Sequence, residues 1–319
     1  MSMKKTIILI SALAFATFAN AAEIVLKPQG WKEGDSKKLT EELIRSHTDS
    51  TTGSTPRVVS TKKTPNKISV QSADSDKYII SIMSLDTGYT KSDSNSIFGA
   101  ELAKKVRTTP LKFSLSKDGE LGHSANYEEF EALFADSQHP FYKTFIIGNN
   151  KEDFEQRNLY TWGLIYWYMN KKFETDKELI CKKKYNLGVS APEIDTKMRV
   201  SVANGKVTFE SEVKLTEEAY FEEAKKGALL RLENQVESVT LEGSKEISES
   251  RKNDLRSIFA QQIDRQLKQI KEQRISIQIK ETVVFDEKTG WLISFDKTTT
   301  TTSATSNSST IIQNKFIIE

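Results

Sequence analysis

The 319-residue sequence predicts an α+β fold: a large curved antiparallel β-sheet, half-barrel-like, with amphipathic helices packed on its apolar face. Three observations predict it. Runs in which apolar and polar residues alternate, the period of a half-buried strand, occupy both ends of the chain. Segments with apolar residues every three or four positions, the period of a helix, lie between them. Turn residues separate consecutive alternating runs, which joins them as hairpins and makes the sheet antiparallel. An apolar fraction of 37% with a formal net charge of +2 is that of a folded protein, because disorder pairs low hydrophobicity with high net charge.

The first element is outside that domain. Lys4 and Lys5 precede an almost unbroken apolar stretch from Thr6 to Phe18, which ends in Ala19-Asn20-Ala21. That order is the pattern of a secretory signal peptide cleaved after Ala21, too short for a spanning helix. No cysteine follows the stretch, so no lipid anchor is expected. The expectation is a periplasmic or secreted protein with residues 22–319 as a single α+β domain. The leader removes two lysines and no acids from 46 basic and 44 acidic side chains, so the mature chain is formally neutral. Neutrality argues against a nucleic-acid partner, which needs a basic footprint to release phosphate counterions. Lys182-Lys183-Lys184 is a short basic run and reads as a solvated strand or turn face. The mature chain carries no apolar stretch of about 18 residues, so no transmembrane segment is expected. Cys181 is the single cysteine, which leaves stability to the core without an intrachain disulfide.

From Ala22 to about Thr64 the chain is polar. Lys32-Glu33-Gly34-Asp35 reads as a turn entering a strand at Lys38 to His47, with a loop at Thr51 to Thr55. Ile68 to Val70 and Lys77 to Leu85 read as strands from their β-branched content. Leu111, Phe113 and Leu115 alternate with polar residues, and Lys117-Asp118-Gly119 closes that strand with turn chemistry. Then the period changes over 126–173. Asn126 with Glu129 resembles a capping box, followed by Tyr127, Phe130 and Phe134 on one face. Pro140 interrupts. From Glu152 the residues Phe154, Leu159, Trp162, Ile165, Tyr166, Met169 and Phe173 mark a second amphipathic helix.

Strands return at Glu178 to Val189, where Leu179, Cys181, Tyr185, Leu187 and Val189 share a parity. Arg199 to Val213 is the clearest hairpin: Asn204-Gly205 supplies the two positive-φ residues of a type I′ turn. A two-residue loop there places Val202 opposite Val207 and Val200 opposite Phe209. Two helices follow. Over 216–236 the stripe is Phe221, Ala224, Ala228, Leu232 and Val236. Over 248–271 it is Leu255, Ile258, Phe259, Ile263, Leu267 and Ile270. Both are too brief for sustained heptads, so packing against the sheet is expected. The chain closes as a meander. Ile275, Ile277, Ile279, Val283 and Phe285 share one parity, the turn at Asp286 to Gly290 reverses the chain, and Trp291, Ile293 and Phe295 return on the same parity. Thr298 to Thr302 continues that strand, and Thr310 to Ile318 forms the last one.

Motifs that carry chemistry are sparse. His47, His123 and His139 stand far apart without metal-ligand spacing, and no phosphate-cradling or dinucleotide glycine motif occurs, so no metal, cofactor or catalytic residue is assigned. Cys181 on a strand shares its face with Lys183 and reads as a packed small residue. Ser60-Thr61-Lys62-Lys63, Ser124-Ala125-Asn126 and Lys288-Thr289-Gly290 spell, in order, the motifs of penicillin-recognising serine enzymes. That mechanism needs the serine to open a buried helix, and Ser60 lies in a polar, β-leaning stretch between Pro56 and Pro65.

Several of these features together resemble a loosely defined family of exported bacterial proteins of unknown function. They are the leader, the Gly34-Asp35 turn into a strand, the strand and turn from Phe113 to Gly119, the helical middle, the Asp286 to Trp291 turn and the final Thr/Ser-rich hairpin. The two long helices between Thr216 and Lys271 depart from the family's plan. The resemblance implies a curved antiparallel sheet and no catalytic residues. The plan is also similar to that of periplasmic lipoprotein carriers and other lipid-binding half-barrels.

The apolar face of such a sheet must be covered by helices, by a partner or by a ligand. The expected function is therefore that of an exported, non-enzymatic binding protein of the cell envelope, holding an apolar or lipid-like ligand or an envelope protein partner. Burying about 400 Å² of such a ligand gives on the order of 10 kcal/mol before association costs. Trp162, Tyr166, Trp291, Ile293 and Phe295 are the candidate groove residues. The rival expectation is a secreted hydrolase whose site is assembled from residues distant in sequence.

Overall fold

A computed structural model describes residues 22–49, 55–96, 99–134, 148, 150–188, 190–242 and 249–319. The apolar leader with its cleavage site, the loop at 51–54, Pro140, His139 and Val189 lie outside the described residues. The strands in chain order are β1 (Glu23–Val25), β2 (Ser36–Asp49), β3 (Arg57–Ala73), β4 (Lys77–Ser84), β5 (Leu111–Ser116), β6 (Leu121–Ser124), β7 (Lys172–Glu174), β8 (Glu178–Lys184), β9 (Glu193–Ala203), β10 (Lys206–Leu215), β11 (Ile275–Asp286), β12 (Leu292–Ser303) and β13 (Ser308–Ile318). The helices are α1 (Lys91–Ser94), α2 (Ala100–Thr108), α3 (Tyr127–Ala132), α4 (Lys151–Asn158), α5 (Tyr160–Tyr166), α6 (Glu217–Glu242) and α7 (Glu249–Gln273).

Among the described residues, 11 strands form one open sheet in the order β6-β5-β4-β3-β2-β13-β12-β11-β10-β9-β8. Every pairing in it is antiparallel. The order describes two meanders that meet in the middle. β2 to β6 run outward to one edge, the helical segment crosses to the other edge, and β8 to β13 run back until β13 pairs with β2. A separate two-stranded ribbon joins β1 to β7.

Alternation sets the faces. On β11, Ile277, Ile279, Val283 and Phe285 are buried while Lys280 between them is exposed. The Asn204-Gly205 turn has φ of 52° and 70°, and it pairs Val202 with Val207 and Val200 with Phe209. Turn and hydrophobic pattern thus agree on register.

The crossover covers the apolar face. Trp162 packs 5.8 Å from Phe113 of β5 and 5.3 Å from Phe316 of β13. Further on, Tyr168 lies 4.5 Å from Phe209 of β10. One segment therefore spans the sheet from the β5 side to the β10 side. Its residues Leu159, Trp162, Ile165, Tyr166 and Met169 belong to the main buried cluster with Ile68, Ile80, Val200 and Phe285. Each such side chain contributes about 1.5–3 kcal/mol when fully buried. The hairpin of α6 and α7 adds a smaller cover. Its base, through Tyr220 and Ala219, packs on Val213, Leu215 and Ile277. Beyond the base the two helices pack on each other, through Ala228 and Leu232 against Ile263, Phe259 and Leu267. No described helix is long and apolar enough to cross a membrane.

Several expectations are corrected. The second amphipathic helix is broken at Leu159 into α4 and α5, and Phe173 lies on β7. Asn126 does not cap α3. Its amide donates to Glu129 and to the Pro110 carbonyl, and its oxygen accepts from the Lys112 amide. The side chain is thus spent on tying β5 to the helix. Lys183 is 1% exposed, because β8 turns its apolar parity inward and Lys183 shares it. A bulge between Val284 and Phe285 sets Phe285 opposite Leu292 and leaves Ile293 without a partner. Parity across β12 therefore shifts, so Leu292 and Phe295 are fully buried and Ile293 is not. β3 starts at Arg57, well before Ile68, and β1, β6, β7 and α2 carry too little periodicity to have been anticipated.

Candidate functional site

Helix α5 is apolar on two sides. Trp162, Ile165 and Tyr166 belong to the main buried cluster, whereas Leu164 and Tyr160 pack on Val213 and Ile277 of the second cluster and, with Gly163 and Trp167, form a second stripe at three- and four-residue spacing. That outer stripe floors a groove of about 570 Å³. β6 contributes Leu121, the loop after β8 contributes Asn186 and Ala191, and α6 closes the far side with Leu230. Leu230, an apolar wall, is 65% exposed. Gly163 borders open space: a Cβ there would meet only Leu121 Cδ2, at 3.7 Å. Polar groups sit at the rim, namely Lys184, Gln156 and Glu155. Glu155 is already engaged, by His123 at 3.0 Å and the Ser124 amide at 2.7 Å.

Beside the groove floor lies a buried polar cluster. Ser211, Glu281 and Lys297 are successive lateral partners on β10, β11 and β12. Lys183 reaches across from β8 to Glu281 Oε2 at 2.6 Å, with side chains 1% and 0% exposed. The same oxygen accepts from Tyr185 at 3.3 Å, Ser211 at 3.4 Å and Tyr168 at 3.5 Å. Lys183 also donates to the Tyr168 oxygen at 2.9 Å. Among the described residues, no hydrogen-bond partner reaches the buried Glu281 Oε1.

Burial dominates the electrostatics here. It raises the Tyr168 phenol well above its ordinary value, and the Glu281 charge raises it further. It pushes Tyr160 up to about 12 and brings the Lys297 ammonium down to about 8. It also raises the Cys181 thiol, so that this group keeps its proton. Lys297 donates to the Tyr160 hydroxyl at 3.3 Å, and the Asn186 amide donates to the same oxygen at 2.7 Å. Tyr160 thus links the groove to the buried cluster.

The five residues expected to line a groove do not meet in one. Trp162, Tyr166 and Phe295 are 5%, 3% and 1% exposed and gather around Phe316 and one another under α5. Trp291 stacks on Trp31 with ring centroids 4.2 Å apart. With Ile293 it borders a separate depression of about 400 Å³ beside Asp35, Lys37 and Asp286. The signal for the observed groove was present in the outer stripe of α5, which the inner, heavier stripe masked. The buried pair also left a mark, one charged residue on the apolar parity of each of two strands. His47 and His123 are exposed. Ser60 stands exposed within β3, as its polar surroundings imply.

No family model matches the sequence, and no curated protein matches it. Two solved structures overlap it weakly. One, described as lipid–protein interactions in lipovitellin, is 8% identical with a TM-score of 0.39, over 91% of this chain and 25% of that one. The chain therefore spans a quarter of the lipovitellin chain it matches. The other is Ail, the attachment invasion locus protein of Yersinia pestis, 4% identical with a TM-score of 0.14, over 90% of this chain and 99% of that one. Both scores are too low to imply a shared fold.

Proposed function

We propose that the chain is an exported binding protein of the cell envelope that holds an apolar, lipid-like ligand in the groove between α5 and α6. The observation that carries this reading is the groove itself, floored by Leu159, Leu164 and Trp167 and walled by the exposed Leu230. Its volume lies within the range of about 300–1,000 Å³ in which small molecules are held. The neutral composition and the leader-like start of the sequence agree with a soluble carrier outside the cytoplasm.

The test uses the neutral apolar probe N-phenyl-1-naphthylamine, whose fluorescence rises on leaving water. The wild-type chain, stripped of lipid, is expected to bind it saturably. Gly163→Leu is expected to fill the groove and weaken binding at least about tenfold. Its melting temperature should hold or rise, because a helical Gly costs about 1 kcal/mol relative to better helix formers. Undiminished probe binding in Gly163→Leu would remove the groove from consideration.

A further inference from the structure

We infer that the ligand of this groove is an anionic amphiphile, a single acyl chain ending in a carboxylate, with its head group received at the Tyr160 hydroxyl in front of Lys297. The inference rests on the reading of the groove as an apolar binding site and adds the chemistry of one end of it.

The first support is an imbalance of charge. On the polar row of the sheet Glu281 faces two lysines, and Lys183 holds it at 2.6 Å. Lys297 lies opposite Glu281 on β12, yet among the described residues no carboxylate makes an ion pair with it. Around its ammonium lie the Tyr160 and Tyr185 rings, with centroids at 5.0 and 5.7 Å, and the charge of Glu281, which Lys183 already holds. Two lysines share one carboxylate here, so a cation largely withdrawn from water is under-neutralised, and a desolvated anion would complete its neutralisation. The depressed affinity of Lys297 for its proton has the same cause, burial.

The second support is a surplus of donors. The Tyr160 oxygen accepts from the Asn186 amide and from Lys297, which occupies both lone pairs. Its own proton is left to donate, and among the described residues no acceptor takes it. The phenol also keeps that proton through the neutral range, since burial pushes it up to about 12. Tyr160 and Asn186, whose amide donates to the Tyr160 oxygen, both line the groove, and the Lys297 ammonium lies 3.3 Å from the same oxygen. Lys184 at the rim adds a second positive charge, while Glu155, the rim's acid, is held by His123 and Ser124. An acceptor-only, negatively charged head meets each of these requirements. An alcohol head of the same chain length meets neither the charge nor, in full, the donor excess.

The experiment displaces N-phenyl-1-naphthylamine from the wild-type chain at pH 7 with hexadecanoate and, separately, with hexadecanol. Hexadecanoate is expected to displace the probe at a concentration at least about tenfold lower. Lys297→Met, which keeps the length of the side chain without its charge, is expected to erase that preference, so that hexadecanoate and hexadecanol displace the probe at similar concentrations. Tyr160→Phe is expected to reduce it several-fold, and it supplies the same comparison should Lys297→Met fail to fold. Equal displacement by acid and alcohol, or a preference that survives both variants, would overturn the inference while leaving the apolar groove in place. Failure of both the probe and hexadecanoate to bind would overturn the groove and the inference together.

Discussion

At the scale of single residues, the molecule's main electrostatic commitment is the enclosed pair of Lys183 and Glu281. Such a pair adds little net stability, because the desolvation of two charges offsets most of their attraction. Removing one partner is another matter, since it strands the other charge in the interior. Lys183→Met is therefore expected to lower the unfolding free energy by about 3–5 kcal/mol, toward the smaller figure because Lys297 stands opposite Glu281 and takes up part of its charge. The double variant Lys183→Met, Glu281→Met is expected to recover most of that loss in urea denaturation. A double variant as unstable as the single one would show that the hydroxyls of Tyr168, Tyr185 and Ser211, not the ion pair, hold this region. The pair was legible in part. Lys183 shares a parity with Leu179 and Cys181, and Glu281 shares one with Ile279 and Val283, so two opposite charges stood on apolar faces. What strand parity does not reveal is which strands lie near each other, and β8 and β11 are separated by two others. Reading Lys182 to Lys184 as one solvated run followed from composition, which ignores the alternation of side chains along a strand.

Elements were legible wherever two local signals agreed. The β9–β10 hairpin had both alternation and Asn204-Gly205, and its register is the one those signals imply. The β11–β12 hairpin had alternation and a turn but hid a bulge, which adds a residue without a signature of its own and turns Leu292 inward in place of Ile293. The bulge adjoins a turn that does more than reverse the chain. Asp286 accepts from the Thr289 amide and hydroxyl at 2.8 and 2.6 Å, and those bonds hold its carboxyl below the usual range. The Thr289 carbonyl then accepts from the Trp31 indole and the Gln29 amide. Gly290, at φ 70°, is the point of closest approach, where a Cβ would run into the Lys27 carbonyl. Gly205 has the same φ of 70° and open space around it. Gly205→Ala should thus cost only the left-handed backbone, about 1–2 kcal/mol. Gly290→Ala should cost a further 1–3 kcal/mol or so for the collision, with the indole of Trp31 becoming more exposed to fluorescence quenchers. Equal losses at the two glycines would mean that the segment from Lys27 to Trp31 yields freely and is not clamped by the turn.

For the whole molecule, the decisive feature is that the chain's two meanders meet at β2 and β13, so the sheet is continuous only because its first and last long strands pair. Pairings of that sequence separation leave no local trace, which is why the sheet's existence could be read from the sequence and its strand order could not. The same topology makes the α6–α7 hairpin an insertion. It leaves the sheet after Leu215 and returns at Ile275, yet β10 and β11 are already paired up to Leu215 and Ile277. Replacing 216–276 with Asn-Gly would reproduce the geometry by which Ala203 pairs with Lys206 across the native two-residue turn. The seam of α6 against α7 is self-contained, so its removal costs mainly the patch covered by Tyr220, Ala219, Ile270 and Ile275 and the contacts of Gln273, Arg274 and Ile275 with the β12–β13 turn, a loss of several kcal/mol, about 2 for each large side chain uncovered. The shortened chain is expected to unfold in urea as one cooperative transition with its strand signal retained in circular dichroism and most of its helical signal gone. It should also bind N-phenyl-1-naphthylamine more weakly, because Leu230 no longer walls the groove. A shortened chain without a cooperative transition would assign the hairpin to the folding core. One that folds and binds the probe as tightly as the full chain would place the apolar site elsewhere on the sheet.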